Sequence, residues 1–279
     1  MKIFDAHNDF LIELNKVQRK AYISWVEKYC KKTKIISQIW TTSLPQPMKK
    51  LKMLSNEIVD KDNFIFAIED LGFLGEKKLK ERLEYVIALK PFSCGLVWNN
   101  DNSFGGGALG QSGLTELGKY VVNRLEKEGI IVDTAHMNEQ TFWDFCRITT
   151  KPIYNSHSNI FDLCNNSRNL KDEQIKAIID SNGIVCLSFV SYFIREKGII
   201  SCSDVAKQIK FFIKKYGDKN VAIGSDFFGT TDLPIDLKSY VDFENLRLAL
   251  CRVGLNIRQI NNIFYGNLTR YINRIGKKK

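Results

Sequence analysis

Eight short apolar runs are spaced along this chain, separated for the most part by longer stretches with helical periodicity, and that alternation restricts the fold more than any other feature. The runs cover residues 2–5, 34–40, 64–68, 95–98, 130–134, 152–155, 183–189 and 221–224. They carry Ile, Val, Phe and Tyr without clean polar alternation, as strands buried on both faces do. The clearest helix is 114–127, where Leu114, Leu117, Val121, Val122 and Leu125 recur at helical spacing. Further helices are predicted near 45–59, 75–88, 138–147, 172–181, 203–215, 241–252 and 256–264. Strands and helices in these numbers define the α/β class and are the arithmetic of a (β/α)8 TIM barrel. An open doubly wound sheet is the competing arrangement, because strand count alone does not close a barrel. No linker or low-complexity tract interrupts the pattern, so residues 1–279 are read as a single domain.

Composition narrows the function classes. Hydrophobic residues make up 44% and charged residues 26%, with 5 prolines, which is globular and excludes a disordered or collagen-like chain. No apolar run approaches the roughly 18 to 20 residues needed to span a bilayer, so no membrane partner is expected. The segment Met1–Phe10 has neither the apolar stretch nor the cleavage site of a secretory signal, which leads to the expectation that the mature protein starts here and is cytoplasmic. The seven cysteines form no C-x-x-C pair and read as reduced thiols. A net charge of +10 raises the question of nucleic acid, but the lysines are dispersed. The dense groups Lys77-Lys78-Leu79-Lys80 and 277–279 read as a helix face and a tail, and no nucleic-acid motif accompanies them.

The three histidines, His7, His136 and His157, all fall at the C-terminal ends of predicted strands. In a barrel those ends share one mouth, where the active site is built. Asp9 leaves the same strand as His7, Glu69 ends the third strand and Asp226 follows the eighth. In an extended segment the side chains of His7 and Asp9 point the same way and can converge on one cation. His136 and His157 offer nitrogen to a second, and Glu69 has two oxygens with which to bridge both. Mixed nitrogen and oxygen donors suit Zn2+, with Mn2+ or Co2+ as substitutes. Two such ions can hold a hydroxide between them at neutral pH and polarise a carbonyl. Asp226 is left over and placed to move protons.

Asp5-Ala6-His7-Asn8-Asp9, Leu114-Thr115-x-x-Gly118, Ile131-Val132-Asp133-Thr134-Ala135-His136, Asn155-Ser156-His157-Ser158, Arg168-Asn169 and Ile223-Gly224-Ser225-Asp226-Phe227 together resemble the membrane (renal) dipeptidase family of the metal-dependent amidohydrolase superfamily. The ordered matches run from residue 5 to Asn267-Leu268-x-Arg270. The resemblance implies a (β/α)8 barrel that hydrolyses dipeptides with two zinc ions per chain. His7 and Asp9 would hold one ion, His136 and His157 the other, and Glu69 would bridge them. Asp226 would take a proton from the bridging water and give it to the leaving amine. Arg168 would clamp the substrate's terminal carboxylate, which suits a planar guanidinium. A homodimer is also compatible with the resemblance.

The departures bear on substrate. Trp98 of Leu96-Val97-Trp98-Asn99-Asn100 stands where animal members of the family place a substrate-contacting histidine, which shifts oxyanion stabilisation toward zinc, Asn99 or Asn100. Asp226-Phe227-Phe228-Gly229 replaces Asp-Phe-Asp-Gly and loses a carboxylate. Two alternatives therefore stay open: a binuclear amidohydrolase acting on another carboxylate-bearing amide or lactam, and a non-catalytic binding barrel. The run Gly105-Gly106-Gly107-Ala108-Leu109-Gly110 fits a dinucleotide fingerprint in letters only, because Asn99 to Phe104 separate it from the strand. It reads instead as a flexible loop over the mouth.

Overall fold

In the computed structural model, described over residues 1–41, 46–59 and 61–276, eight parallel strands pair in sequence order and close on themselves through β1 and β8. They are β1 (Ile3–Asn8), β2 (Thr33–Ile39), β3 (Phe64–Ile68), β4 (Ser93–Gly95), β5 (Ile131–Asp133), β6 (Tyr154–Ser158), β7 (Ile184–Leu187) and β8 (Val221–Ile223). The helices are α1 (Phe10–Glu13), α2 (Lys16–Tyr29), α3 (Pro47–Asn56), α4 (Leu79–Ala88), α5 (Glu116–Lys127), α6 (Glu139–Ile148), α7 (Asp172–Asp180), α8 (Ser191–Ile194), α9 (Cys202–Tyr216), α10 (Phe243–Arg252), α11 (Ile257–Asn261) and α12 (Asn267–Ile275). This is a (β/α)8 TIM barrel; the open sheet is excluded by closure. The predicted residues 45 and 277–279 lie outside the described residues.

Alternation along the strands sorts the core into two clusters. Phe4, Ala6, Ile36, Ala67, Ile131, Tyr154, Ile184, Cys186 and Ala222 fill the barrel interior together with Leu268 and Tyr271 of α12. Their neighbours Ile3, Ile35, Phe66, Ile68, Val132, Val185, Val221 and Ile223 pack in the other cluster, with the helices. Because successive strand side chains alternate, the inward sequence Ile65, Ala67 continues to Glu69, and Tyr154 continues to Ser156. The interior code thus delivers polar groups at the mouth.

Three differences from the sequence reading have physical causes. Helix α2 was not predicted: it buries only Arg19, Ile23 and Val26, too sparse a stripe to read, and is held by a capping box between Asn15 and Gln18 and by the Arg19–Glu57 ion pair at 2.7 Å. The fourth strand, expected at 95–98, instead covers Ser93–Gly95. Leu96 and Val97 are buried outside the sheet, where the Leu96 carbonyl accepts from Asn102 Nδ2 at 2.8 Å. At the C-terminus the helical path continues past 264 through a wide turn at Asn262–Gly266 into α12. Asn267 fastens that path by donating to the carbonyls of Asp218 and Val221, both at 2.7 Å.

Gly95 shows how tightly the sheet closes near the mouth: a Cβ there would lie 2.0 Å from the backbone oxygen of Glu69. Gly95→Ala is therefore expected to cost at least about 2 kcal/mol by overpacking. For a chain of this length, that is a fall in Tm of about 4–8 °C. An unchanged melting temperature would contradict the packing described.

Candidate active site

Two local irregularities aim the first ligands. Pairing of β1 with β2 shifts register between Asp5 and Asn8, and pairing of β6 with β7 shifts between Asn155 and Ser158. His7 and His157 lie inside these breaks, and a bulge re-aims a side chain that strict alternation would have turned elsewhere. The simple extended spacing invoked for His7 and Asp9 is accordingly not the cause of their convergence. Asp9 has already left the extended region, at φ −103 and ψ 13. His136 and Asp226 take left-handed backbones, φ 67 and φ 62, at the exits of β5 and β8. Such conformations cost about 1–3 kcal/mol each and persist where the surroundings over-determine them.

These devices bring His7, Asp9, Glu69, His136, His157 and Asp226 together. His7 Nε2 lies 3.2 Å from Asp9 Oδ2, 3.8 Å from Glu69 Oε1 and 3.8 Å from Asp226 Oδ1. Glu69 Oε1 also lies 2.9 Å from His136 Nε2 and 3.8 Å from His157 Nε2, and those two nitrogens are 3.0 Å apart. Glu69 thus stands between an Asp9–His7 group and a His136–His157 group. Two sets, His7-Glu69-His157 and His7-Asp9-Asp226, have donor atoms within 4.8 Å of one another, close enough to hold a metal ion.

The tautomers follow from the partners. His136 Nδ1 lies 2.9 Å from Asn99 Oδ1, which only accepts, so the proton sits on Nδ1 and the Nε2 lone pair faces Glu69. Arg168 Nη2 donates to His157 Nε2 at 2.8 Å, which puts the His157 proton on Nδ1, 2.8 Å from Ser156 Oγ. The same hydroxyl lies 3.3 Å from His7 Nδ1. Ser156 has two lone pairs and can accept from both rings, leaving both Nε2 atoms for the mouth.

Burial sets the protonation. It holds His136 and His157 well below the ordinary imidazole range, helped by the charges of Arg168 and His7. Burial pushes the Glu69 carboxyl well up, and Asp9 adds to the effect. Asp226 rises to about 7 for the same first reason, against the opposing charge of His7. His7 would be lowered by burial, but Asp9, Glu69 and Asp226 raise it to about 10. Burial lowers the Arg168 guanidinium to about 10, with Asp226 and Glu69 opposing. Even so, His7 Nε2 and Asp9 Oδ2 are buried and face each other at 3.2 Å without hydrogen-bond geometry. Two orphaned donor-type atoms at the centre of a nitrogen and oxygen cluster are what a divalent cation satisfies, so these residues fit one.

The surroundings include residues that sequence reasoning did not single out. Asp5 is fully buried and accepts from Ser225 N at 2.8 Å and Tyr240 Oη at 2.6 Å, tying β1 to β8. Asp133 accepts from the backbone of Ser156 and of Ala135, both at 3.0 Å, tying β5 to β6. Gly229 is required because a Cβ there would meet Asp226 Oδ1 at 2.2 Å and Asp9 Oδ2 at 2.5 Å. Trp98 and Asn99 reach the cleft from beyond β4, and Trp40, Tyr192, Phe193 and Glu13 complete a lining of about 230 Å³. Trp40 also leaves a strand end, the signal that could have found it, whereas Glu13 closes α1 and carries no such signal. The glycine run is not the flexible flap expected: Gly105, Gly106 and Gly107 are buried, and Asp101 holds Ser112 Oγ at 2.9 Å.

A barrel with this mouth belongs to the class of metal-dependent hydrolases. The family model for membrane dipeptidases, peptidase family M19, matches residues 56–279, and the chain belongs to that family. It is a metallo-dipeptidase-like hydrolase, and divalent-metal use comes with the family. The matched stretch contains Glu69, His136, His157, Arg168 and Asp226, whereas His7 and Asp9 precede it and are brought in by the barrel. The chain is 32% identical over 216 residues to an uncharacterized protein in the pqqA 5' region of Klebsiella pneumoniae, covering 73% of this chain and 78% of that one. Its fold superposes on a metallo peptidase from Rhodobacter sphaeroides, solved with a phosphinate mimic of the dipeptide L-Ala-D-Ala, with TM-score 0.84 and 20% identity over 99% of both chains. A dipeptidase of family M19 gives TM-score 0.86 and 22% identity over 98% of both chains. Among the described residues no helix is long and apolar enough to cross a membrane.

Ser156→Ala removes the hydroxyl that both Nδ1 atoms share. Outer partners of this kind are worth about 10–100-fold in metal affinity. Competition against a chromophoric chelator is expected to show that weakening, and an unaltered affinity would show that the hydroxyl does not orient the rings.

Proposed function

We propose that the chain hydrolyses dipeptides at a pair of zinc ions, with Mn2+ or Co2+ able to replace them. In this reading His7 and Asp9 hold one ion, His136 and His157 the other, and Glu69 lies between, all within one domain of residues 1–279. The observation that carries it is the orphaned pair His7 Nε2 and Asp9 Oδ2 inside a buried cluster that Glu69 joins to two neutral imidazoles. Bound there, two such ions supply a hydroxide at neutral pH and polarise the scissile carbonyl.

The chain's own groups do the rest. Asp226 takes the proton of the attacking water on its carboxylate and passes it to the departing amine nitrogen. Burial supports that role by raising its carboxyl to about 7, close to the working pH of a proton carrier. Arg168 binds the substrate's terminal carboxylate through paired N–H donors. Arg168 donates to the His157 Nε2 lone pair that a cation would use, so a loaded site would leave the guanidinium free for that carboxylate. Asn99 keeps His136 in one tautomer, and Trp98 forms a wall beside it, with ring centroids 5.7 Å apart.

The reading is tested with a panel of L-L and L-D dipeptides offered to zinc-loaded protein and to a chelated aliquot. Cleavage that disappears on chelation is the expected result. A protein that holds two zinc ions and cleaves none of them would point to a different amide. Asp226→Asn is expected to lower kcat by about 10²–10⁴-fold, the worth of a positioned proton carrier. Zinc content by elemental analysis should stay at the wild-type value, and full turnover would remove Asp226 from the mechanism. Arg168→Lys loses the paired donors and should raise KM by about 10–100-fold with a smaller change in kcat. An unchanged KM would mean that the carboxylate is held elsewhere.

A further inference from the structure

The cleft is charged against the rest of the molecule. The chain carries a net charge of +10, yet the cleft lining holds the carboxylates Asp9, Glu13, Glu69 and Asp226 against one guanidinium, Arg168. Asp9, Glu69 and Asp226 are already assigned to the metals and the proton. Glu13 is not. It closes α1 at the rim, is exposed, and among the described residues its carboxylate has neither an ion pair nor a hydrogen bond.

Beside it the lining is aromatic. Trp40 is the first residue past β2, and its ring centroid is 5.0 Å from that of Trp98, which in turn is 5.7 Å from His136. The two indoles make a continuous surface from the ligand cluster toward the β1–β2 side of the mouth. Trp40 Nε1 is buried without an acceptor, so the indole meets the cleft with its ring rather than its N–H. Strand order fixes the direction across the cleft. β2 lies four strands from β6 around the closed barrel, which sets Trp40 across the mouth from His157 of β6, the residue that Arg168 contacts at 2.8 Å. A dipeptide held by its carboxylate at Arg168 extends its N-terminal residue toward Trp40, Trp98 and Glu13.

We propose that this corner selects dipeptides whose N-terminal side chain is cationic, lysyl or arginyl. The inference rests on the dipeptidase reading and on Arg168 as the carboxylate anchor. The alkyl stem lies along the indoles, the charged head meets an aromatic face, and Glu13 supplies the counter-charge. A rim ion pair and a cation–π contact, both partly solvated, together amount to a preference of about fivefold to tenfold. The ion-pair part should shrink as salt is added.

The test compares lysyl-alanine with norleucyl-alanine, which keeps the stem and drops the charge. In zinc-loaded wild type, kcat/KM is expected to favour lysyl-alanine by about fivefold to tenfold, and Glu13→Gln should cut that ratio by about twofold to fivefold, the ion-pair share. Trp40→Leu should reduce the ratio independently. The same dipeptides are titrated by calorimetry into zinc-loaded Asp226→Asn protein, with and without Glu13→Gln, so that the preference is also read as a ratio of Kd values. If norleucyl-alanine is cleaved and bound as well as lysyl-alanine, or if Glu13→Gln leaves the ratio in place, the inference is overturned while the dipeptidase reading stands. If neither dipeptide is cleaved but lysyl-alanine still binds preferentially through Glu13, the dipeptidase reading falls and the cation preference of the cleft survives.

Discussion

Glu69 and its neighbours cannot all keep their ordinary charges. Three imidazoles and the carboxylates of Asp9, Glu69 and Asp226 crowd into a buried mouth with donor atoms 2.9 to 3.8 Å apart. Without a cation the conflict is resolved by protonation: Glu69 and Asp226 are pushed up by burial, and His7 is driven to about 10 by the carboxylates around it. Burying such groups is costly unless they are paired or coordinate a metal. A divalent cation relieves the same conflict by charge, and the orphaned atoms of His7 and Asp9 mark where it would do so.

The surrounding barrel holds that crowding in place. Bulges turn His7 and His157 inward, and left-handed residues at His136 and Asp226 aim two more side chains at the same point. Beneath them Asp5 and Asp133 collect backbone and hydroxyl donors, so that the exit of β1 is tied to that of β8 and the exit of β5 to β6. Ser156 couples the rings of His7 and His157 through one hydroxyl. A site built this way keeps its geometry through strand ends and buried hydrogen bonds rather than through mobile loops.

Much of this was legible in the chain. Period and run length gave eight strands and most of the helices, because strands buried on both faces and amphipathic helices leave different apolar patterns. The histidines and acids were found by position, since residues at strand exits of a barrel must share one mouth. Helix α2 escaped because its stability comes from a capping box and a long-range ion pair rather than an apolar stripe. Bulges and left-handed backbones escaped for a related reason: they are set by pairing between distant strands, so the convergence of His7 with Asp9 was expected for too simple a cause. Ser156, Asp5 and Tyr240 act through other residues and carry no spacing of their own, and Glu13, at the end of a short helix, becomes visible only when the cleft has walls.

The central claim is that this mouth holds two cations with Glu69 between them. Anomalous diffraction from crystals of zinc-loaded protein tests it most directly. The account predicts two peaks at the barrel mouth, one among His7, Asp9 and Glu69 and the other among Glu69, His136 and His157, and the loss of both in Glu69→Gln. A single peak, or peaks away from Glu69, would contradict it.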